Sequence, residues 1–170
     1  MATDTRPCVY IIDSSCLISL NRFNSEVFEI PERVWKKLDE LLEAGTITSS
    51  RYVYDEIVTD SKKPDRISAW LKPKKSLFHK PTNQQVLYMA EAVREFSGLV
   101  NPDSEKEQAD AWLVAMAREM SEQDPETEYV MVTQENKNSP IKIPAACRKH
   151  GVRSINQKEF LAEVGIKLES

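Results

Sequence analysis

The sequence predicts an α/β fold, a three-layer α/β/α sandwich with a central, mainly parallel sheet. Two short apolar runs, residues 8–13 and 129–133, have the β-branched and aromatic content of buried strands. Segments with helical periodicity separate them, and the connections are far too long for hairpins. Because parallel strands need long crossover connections, this alternation favours parallel pairing.

The first half of the chain is predicted from local capping and turn signals. Ser14 and Ser15 can cap a short helix that follows the first strand. Pro31 and Gly45 bracket a second helix, since proline suits the first turn and glycine the position past the last. The remaining predicted elements are a short strand from Ile47, helices over 51–59 and 64–71, and a loop over 72–81.

The second half is predicted to alternate in the same way. Thr82 opens a helix that Gly98 can end, because glycine is common just past a helix C-terminus. Asp103 or Ser104 should cap the longest helix, which runs to about Glu122. After the strand at 129–133 we expect a helix from Pro144 to Gly151, a strand over 152–155 and a helix capped by Asn156.

Length and composition limit the class of protein. A chain of 170 residues, 41% of them apolar, suits a single domain that spans residues 1–170. No apolar stretch approaches the ~18 residues of a membrane span, and the N-terminus lacks an apolar signal core. Three cysteines without metal-ligand spacing and only two histidines argue against a disulfide framework, a zinc site or a histidine-based triad. We therefore expect a cytoplasmic protein without membrane association.

Four acidic residues occupy positions where an unpaired charge is costly. Asp13 ends the first strand and Glu135 follows the second, while Glu56 and Asp110 lie on the apolar sides of predicted helices. The carboxyl ends of parallel strands meet at one edge of a sheet, where α/β proteins bind ligands. Carboxylates that converge there repel one another, and a divalent cation is the usual compensation. The pattern thus predicts a metal-dependent enzyme.

Each of these acids also has a purely structural explanation. Asp13 can cap the helix that follows it, Glu135 can be an ordinary loop carboxylate, and Asp110 can pair with Lys106 one turn earlier. Glu56 differs from its neighbour Asp55, because Asp55 falls on the opposite, solvent side of the predicted helix. The nearby helix N-terminus is expected to favour the ionised form of Asp110.

Basic residues form local clusters although the net charge is −4. A protein of that charge is not expected to coat nucleic acid nonspecifically, but a local basic surface remains compatible with it. Ordinary solvated lysines are the simpler explanation of any single cluster. The clusters are Lys72, Lys74, Lys75, His79 and Lys80; Lys62, Lys63 and Arg66; and Arg148, Lys149 and Arg153.

The order of the acidic motifs resembles that of PIN-domain proteins. IIDSS at 11–15 is similar to the opening of a PIN domain, and VYDEI at 53–57 is similar to its second acidic motif. QADAWLVAMA at 108–117 and VMVTQE at 130–135 resemble the third and fourth motifs, with Glu135 where aspartate is usual. The ending over 143–152 resembles a short single-domain branch, many members of which are similar to VapC-type toxin ribonucleases. The resemblance covers roughly residues 8–166.

This resemblance implies a hydrolase, a Mg²⁺- or Mn²⁺-dependent endoribonuclease whose catalytic residues are Asp13, Glu56, Asp110 and Glu135. Asp13, Asp110 and Glu135 would bind the metal, the first two most directly, and Glu56 and Glu135 would act through water or position the nucleophile. Ser14 and Thr133 would orient the ligands or the phosphate. Candidate RNA contacts are Lys72, Lys74, Lys75 and Lys80.

The resemblance also implies partners. Besides its RNA substrate, a toxin of a toxin–antitoxin pair would have a protein antitoxin that covers the acidic crevice, and a homo-oligomer is a further option. Two alternatives stay open. A catalytically weak or inactive PIN-like module would bind RNA or a partner protein without cleavage, and Glu135 is the residue that favours it. A phosphate-handling enzyme on a flavodoxin-like sheet would need a nucleophilic aspartate or a phosphate loop, and neither is evident.

Overall fold

Four parallel strands form the centre of the fold, and their order confirms the predicted class. A computed structural model describes residues 6–23, 30–59, 66–103 and 108–168. Within these residues the sheet order is β2-β1-β3-β4, and every neighbouring pair is parallel. The strands are β1 (Cys8–Ile12), β2 (Ile47–Thr48), β3 (Glu128–Val132) and β4 (Arg153–Ile155).

Helices connect the strands and complete the outer two layers of the sandwich. In chain order they are α1 (Ser14–Phe23), α2 (Glu32–Glu43), α3 (Arg51–Thr59), α4 (Arg66–Leu71), α5 (Asn83–Glu95), α6 (Ala109–Gln123), α7 (Ile143–Lys149) and α8 (Gln157–Glu163). Helix α2 packs against β2, α6 against β3, and α7 against β4, while α5 lies on α6. Among the described helices, none is both long and apolar enough to cross a membrane.

The central strands β1 and β3 carry the core and set the position of the site. Ile11 and Met131 are fully buried, as expected of strands covered on both faces. Ile12 pairs with Val132, so the residues after these two strands lie side by side. The ladder continues one step further, because the Asp13 N–H donates to the Val132 carbonyl at 2.9 Å. The carboxyl ends of β1 and β3 are therefore in register.

Several local predictions are confirmed by the helix termini. The Thr82 hydroxyl accepts the Gln85 N–H at the start of α5. Asn156 and Glu159 form a complete capping box at the start of α8. Gly45 and Gly151 follow α2 and α7 with φ of 78° and 71°, a conformation that glycine adopts without steric cost.

The predicted loop over 72–81 is partly wrong, because residues Lys72–Leu77 form a 3₁₀ helix that continues α4. Two backbone carbonyls around the end of α4 accept hydrogen bonds from side chains. The Lys74 ammonium donates to the Trp70 carbonyl at 2.8 Å, and the Tyr54 hydroxyl donates to the Lys72 carbonyl at 3.2 Å. The Tyr54 bond joins residues 18 apart in sequence, so turn chemistry alone does not reveal it.

Gly98 has a different role from the one predicted. Helix α5 ends at Glu95, and Gly98 lies in a 3₁₀ turn over Ser97–Leu99 without a positive φ. A Cβ at this position would stand 2.6 Å from the Ile141 carbonyl oxygen. Glycine is needed because the backbone of a distant segment approaches closely, and such an approach leaves no local signal.

The longest helix starts at Ala109, so the predicted caps Asp103 and Ser104 are wrong. Asp103 lies in a turn in which its N–H donates to the Asn101 side chain, and Ser104 lies outside the described residues. Gln108 is extended (φ −108°, ψ 136°) and provides no side-chain cap. The Ala109 N–H instead donates to the Glu56 carboxylate on α3 at 2.9 Å.

Candidate metal centre

The candidate site lies at the carboxyl ends of β1 and β3, where the strand order changes direction. The chain places β2 on one side of β1 and β3 on the other. Connections on opposite sides leave a crevice at such a switch point, which is the usual ligand site of open α/β sheets. Asp13 follows β1 and Glu135 lies three residues past β3. Both acids predicted from strand ends therefore border one crevice.

Three of the four predicted acids converge. One carboxylate oxygen each from Asp13, Asp110 and Glu135 lies within 4.8 Å of the others. Asp13 is 3% exposed, and the other two are half-buried. Among the described residues, no lysine or arginine forms an ion pair with any of the three. The cluster thus has a concentrated negative charge and an all-oxygen ligand set.

Hydroxyl groups hold the Asp13 carboxylate on one side. The Ser15 and Thr133 hydroxyls donate to Asp13 Oδ2 at 2.8 and 2.9 Å. Ser14 lies 3.4 Å from Oδ1 but 2.8 Å from Glu56 Oε2, and its single proton favours the shorter bond. Oδ2 is therefore occupied by two donors, while Oδ1 is the less engaged oxygen.

Backbone groups fix the direction of these hydroxyls. The Gln134 N–H donates to the Ser15 oxygen at 3.1 Å, and the Glu135 N–H donates to the Thr133 oxygen at 3.2 Å. A hydroxyl that accepts a bond in this way has its own proton available for a different partner. Both protons consequently point at Asp13. Thr133 was predicted to orient a ligand, but Ser15 was considered only as a helix cap.

Glu56 joins three helices instead of belonging to the triad of converging oxygens. Its Oε2 accepts the Ser14 hydroxyl at 2.8 Å, at the start of α1, and its Oε1 accepts the Ala109 N–H at 2.9 Å. Anions at a helix N-terminus are stabilised by the exposed N–H groups and the helix dipole. Glu56 thereby fixes the first turn of α6, which carries Asp110.

Asp110 was expected to favour its ionised form, but its surroundings favour the protonated form. Burial, and then the charges of Asp13 and Glu135, raise the pKa of Asp110 to about 8. The helix N-terminus favours the charged form, but desolvation and three neighbouring carboxylates outweigh it. The surroundings of Asp110 therefore favour its protonated form unless a cation approaches.

Glu135 links the acidic cluster to the C-terminal third of the chain. Its Oε2 accepts the Ile143 N–H at 3.1 Å, so the residue both borders the cluster and caps α7. Helix α7 in turn packs against α6 and β4. The longer side chain of glutamate, at a position where the resemblance implies aspartate, reaches this second partner.

The residues present fit a hard divalent cation. Mg²⁺ and Mn²⁺ bind carboxylate oxygens and water in preference to nitrogen or sulphur ligands. Three carboxylates with oxygens within 4.8 Å can share one ion. Burial, and then repulsion by Asp13 and Glu135, raise the pKa of Asp110, and a bound cation would relieve the repulsion. Asp13, Asp110 and Glu135 are the residues that would hold it.

The predicted RNA contacts lie near the β2 edge of the sheet, and they are not equivalent. Lys72, Lys75 and Lys80 are exposed. The Lys74 ammonium pairs with Asp39 at 2.9 Å and lies 4.7 Å from the centre of the Trp70 ring. Lys74 is thus a weaker candidate, because its charge already has an intramolecular partner. Lys62, Lys63 and Lys106 lie outside the described residues.

Two buried polar residues were missed by the sequence reasoning. Gln157 is 5% exposed, and its backbone N–H donates to the Gln134 side chain while its amide donates to the Cys16 carbonyl, both at 2.8 Å. It braces the segment after β3 against α1. Glu119 is also 5% exposed, but it accepts bonds from Thr82 and Gln85 and serves to join α5 to α6. A capping asparagine just before Gln157 was the only nearby signal.

Comparison with known proteins places this chain in a family. Residues 10–168 match the family described as "Domain of unknown function (DUF4411)", and because this match covers most of the chain, the protein belongs to that family. No curated protein matches the sequence.

Proposed function

We propose that this protein is a PIN-like, Mg²⁺- or Mn²⁺-dependent endoribonuclease that hydrolyses RNA phosphodiester bonds at the acidic cluster. The single observation that carries the proposal is the convergence of Asp13, Asp110 and Glu135 at the switch point of a parallel sheet. These acids come from the position after β1, from α6 and from the segment after β3, so the tertiary fold brings them together. The motif resemblance described above supports the choice of RNA.

The chain's own residues would contribute binding and orientation. A divalent cation bound there would activate water and stabilise negative charge on phosphoryl oxygens. Asp13 would present Oδ1, because Ser15 and Thr133 occupy Oδ2. Asp110 would give up its proton as the cation binds, since a carboxyl group must ionise to act as a ligand. Glu56 would hold α6, and with it Asp110, in position.

The proposal extends to a biological role in a toxin–antitoxin pair. The protein would be the toxin of such a pair, and its antitoxin would cover the acidic crevice and block access to RNA. A cytoplasmic location follows from that role. The motif order and the C-terminal resemblance, not a contact within the fold, support this part.

The direct test is incubation of purified protein with mixed cellular RNA, with Mn²⁺ or with EDTA. Cleavage is expected only with the metal. Asp13→Asn should reduce cleavage to the level seen in EDTA, because an amide can accept the same hydroxyl bonds but is a poor ligand for a hard cation. The matched control is Asp55→Asn, which makes the same chemical change on the exposed side of α3 and should cleave normally.

Circular dichroism of both variants would show that they remain folded. If wild-type protein binds Mn²⁺ and RNA but does not cut the RNA, the non-catalytic module is the correct alternative. If Asp13→Asn cleaves as fast as the Asp55→Asn control, the acidic cluster is not the active site.

A further inference from the structure

We infer that Lys142 binds a phosphate of the RNA substrate beside the acidic cluster; this inference rests on the proposed function. Lys142 directly precedes α7 and is exposed. No sequence motif singled it out. The two residues that flank it fix its position, and within the described residues no acidic side chain forms an ion pair with it.

The residue after Lys142 contacts the cluster. The Ile143 N–H donates to Glu135 Oε2 at 3.1 Å, and the Ile143 side chain is completely buried. Only the Lys142 carbonyl carbon separates that N–H from the Lys142 Cα. The backbone of Lys142 is therefore fixed next to one of the three carboxylates, and its four-carbon side chain begins at the rim of the site.

The residue before Lys142 is also held. The Ile141 carbonyl lies so close to Gly98 that a Cβ there would be only 2.6 Å from its oxygen. The segment is thus seated against the Ser97–Leu99 turn on one side and against Glu135 on the other. Lys142 has extended backbone angles between these two anchors (φ −109°, ψ −178°). A lysine held in this way loses less backbone freedom on binding than one on a mobile loop.

Neighbouring cations on this segment are already engaged. Lys137 pairs with Glu159 at 2.7 Å, and Arg148 donates to the Lys137 carbonyl at 2.7 Å. Lys142, by contrast, forms no ion pair with the part of the chain that the structure describes. No acid in the described ranges therefore competes with an external anion for its ammonium group.

The placement suggests a path for a single-stranded polyanion. Phe78–Lys80 runs beside the end of β2, since the His79 N–H donates to the Ser49 carbonyl at 2.9 Å. Lys142 lies on the other side, where α7 packs against β4. The acids lie between them. Across a sheet ordered β2-β1-β3-β4, the outer strands are three spacings apart, or roughly 14 Å, which a few nucleotides can span. The sugar-phosphate backbone of the RNA would cross the carboxyl ends of the strands, with lysines on both sides of the acidic cluster.

Binding of a fluorescent single-stranded RNA in EDTA tests the inference without cleavage. Lys142→Gln should weaken binding at least about threefold and reduce the slope of log K against log salt by about 0.7, the loss of one phosphate contact. Lys142→Arg should retain both affinity and slope. The control is Lys167→Gln, which removes an exposed lysine beyond the end of α8 and should bind as wild type does.

Two outcomes would overturn the inference. Lys142→Gln could bind with wild-type affinity and slope, or the Gln and Arg variants could weaken binding equally, which would indicate a packing role without a charge. If wild-type protein cleaves RNA while Lys142→Gln leaves its KM unchanged, only this inference fails. If wild-type protein neither binds nor cleaves RNA, the proposed function fails as well.

Discussion

The two ends of the sheet hold carboxylates in opposite electrostatic settings. At the amino ends of the strands, Arg153 donates to Glu163 at 2.8 Å and to Glu128 at 2.9 Å. That arginine holds the pKa of Glu163 below its usual range. At the carboxyl ends, burial and neighbouring acids raise the pKa of Asp110 to about 8. At the amino ends a basic residue of the protein itself balances the acids. At the carboxyl ends no described lysine or arginine forms an ion pair with the acidic cluster.

This difference separates a structural use of charge from a functional one. Ion pairs at the amino ends join β4 and α8 to β3, and both partners are part of the fold. The acids at the carboxyl ends do not help the fold in the same way, because bringing them together costs free energy. A cluster that destabilises the protein without a ligand is typical of a site that acts on one.

The pH dependence of stability should depend on Asp110. Since its folded pKa is raised, the folded state binds more protons, and the free energy of unfolding in EDTA should fall as pH rises from about 4 to 8. The contribution of one group is at most about 1.4 kcal/mol per pH unit. Asp110→Asn should lack this fall and be more stable than wild type at pH 8. Urea unfolding at several pH values measures the difference.

Saturating Mn²⁺ should cancel this fall in stability for the wild-type protein only. The ion competes with the proton on Asp110, so its stabilising effect should increase between pH 6 and 8. If the free energy of unfolding changed with pH in the same way for wild type and Asp110→Asn, Asp110 would ionise normally.

The hydroxyl pair on Asp13 should matter for metal binding more than for folding. Ser15→Ala combined with Thr133→Val removes both donors to Oδ2 and should lower Mn²⁺ affinity about 10- to 100-fold. Calorimetric titration with Mn²⁺ provides the measurement. Ser76→Ala, at an exposed position of the 3₁₀ helix, is the matched control and should bind the metal normally. Equal affinities in all three proteins would show that Asp13 needs no such support.

The internally compensated end should respond in the opposite direction to charge removal. Arg153→Met leaves Glu128 and Glu163 without their shared partner. We expect a loss of about 1 to 2 kcal/mol, less than for a buried pair because the arginine side chain is 43% exposed. Arg153→Lys should recover part of this loss. Urea unfolding at pH 7 measures the free energy of unfolding of each variant. If Arg153→Met stabilised the protein as Asp110→Asn is expected to, the two ends of the sheet would not differ in this way.

The smallest change in stability is expected from an exposed ion pair. Lys137 and Glu159 lie 2.7 Å apart, but both side chains are more than 40% exposed. Water screens such a pair and ordering its side chains offsets the attraction. Lys137→Ala should therefore leave the urea midpoint unchanged within error, and a clear shift would indicate a role for this residue beyond the pair.

Strand ends could be predicted from the sequence because their signals are local. An apolar run that stops at Asp13, and another that stops just before Glu135, identify both residues, and parallel topology then brings them to the same edge. Glu56 and Asp110 were found because each interrupts an apolar helix face. Three of the four predicted acids, Asp13, Asp110 and Glu135, do converge, whereas Glu56 bonds to Ser14 and Ala109 outside that triad.

The features that were missed depend on contacts between distant segments. The start of α6 at Ala109 is determined by a carboxylate on α3, and the need for glycine at position 98 is determined by the Ile141 carbonyl. The pKa of Asp110 depends on how many carboxylates surround it, which helix periodicity does not reveal. Likewise, Lys142 becomes notable only when Ile143 is seen to contact Glu135.

The bridging position of Glu56 has a consequence for folding kinetics. Its carboxylate bonds to groups 42 and 53 residues away in sequence, so the first turns of α1 and α6 meet only after long stretches of chain have been closed into loops. A collapsed intermediate with its helices already formed would still lack an assembled ion site. Divalent ions added at the start of refolding should therefore leave the folding rate unchanged and slow only the unfolding rate.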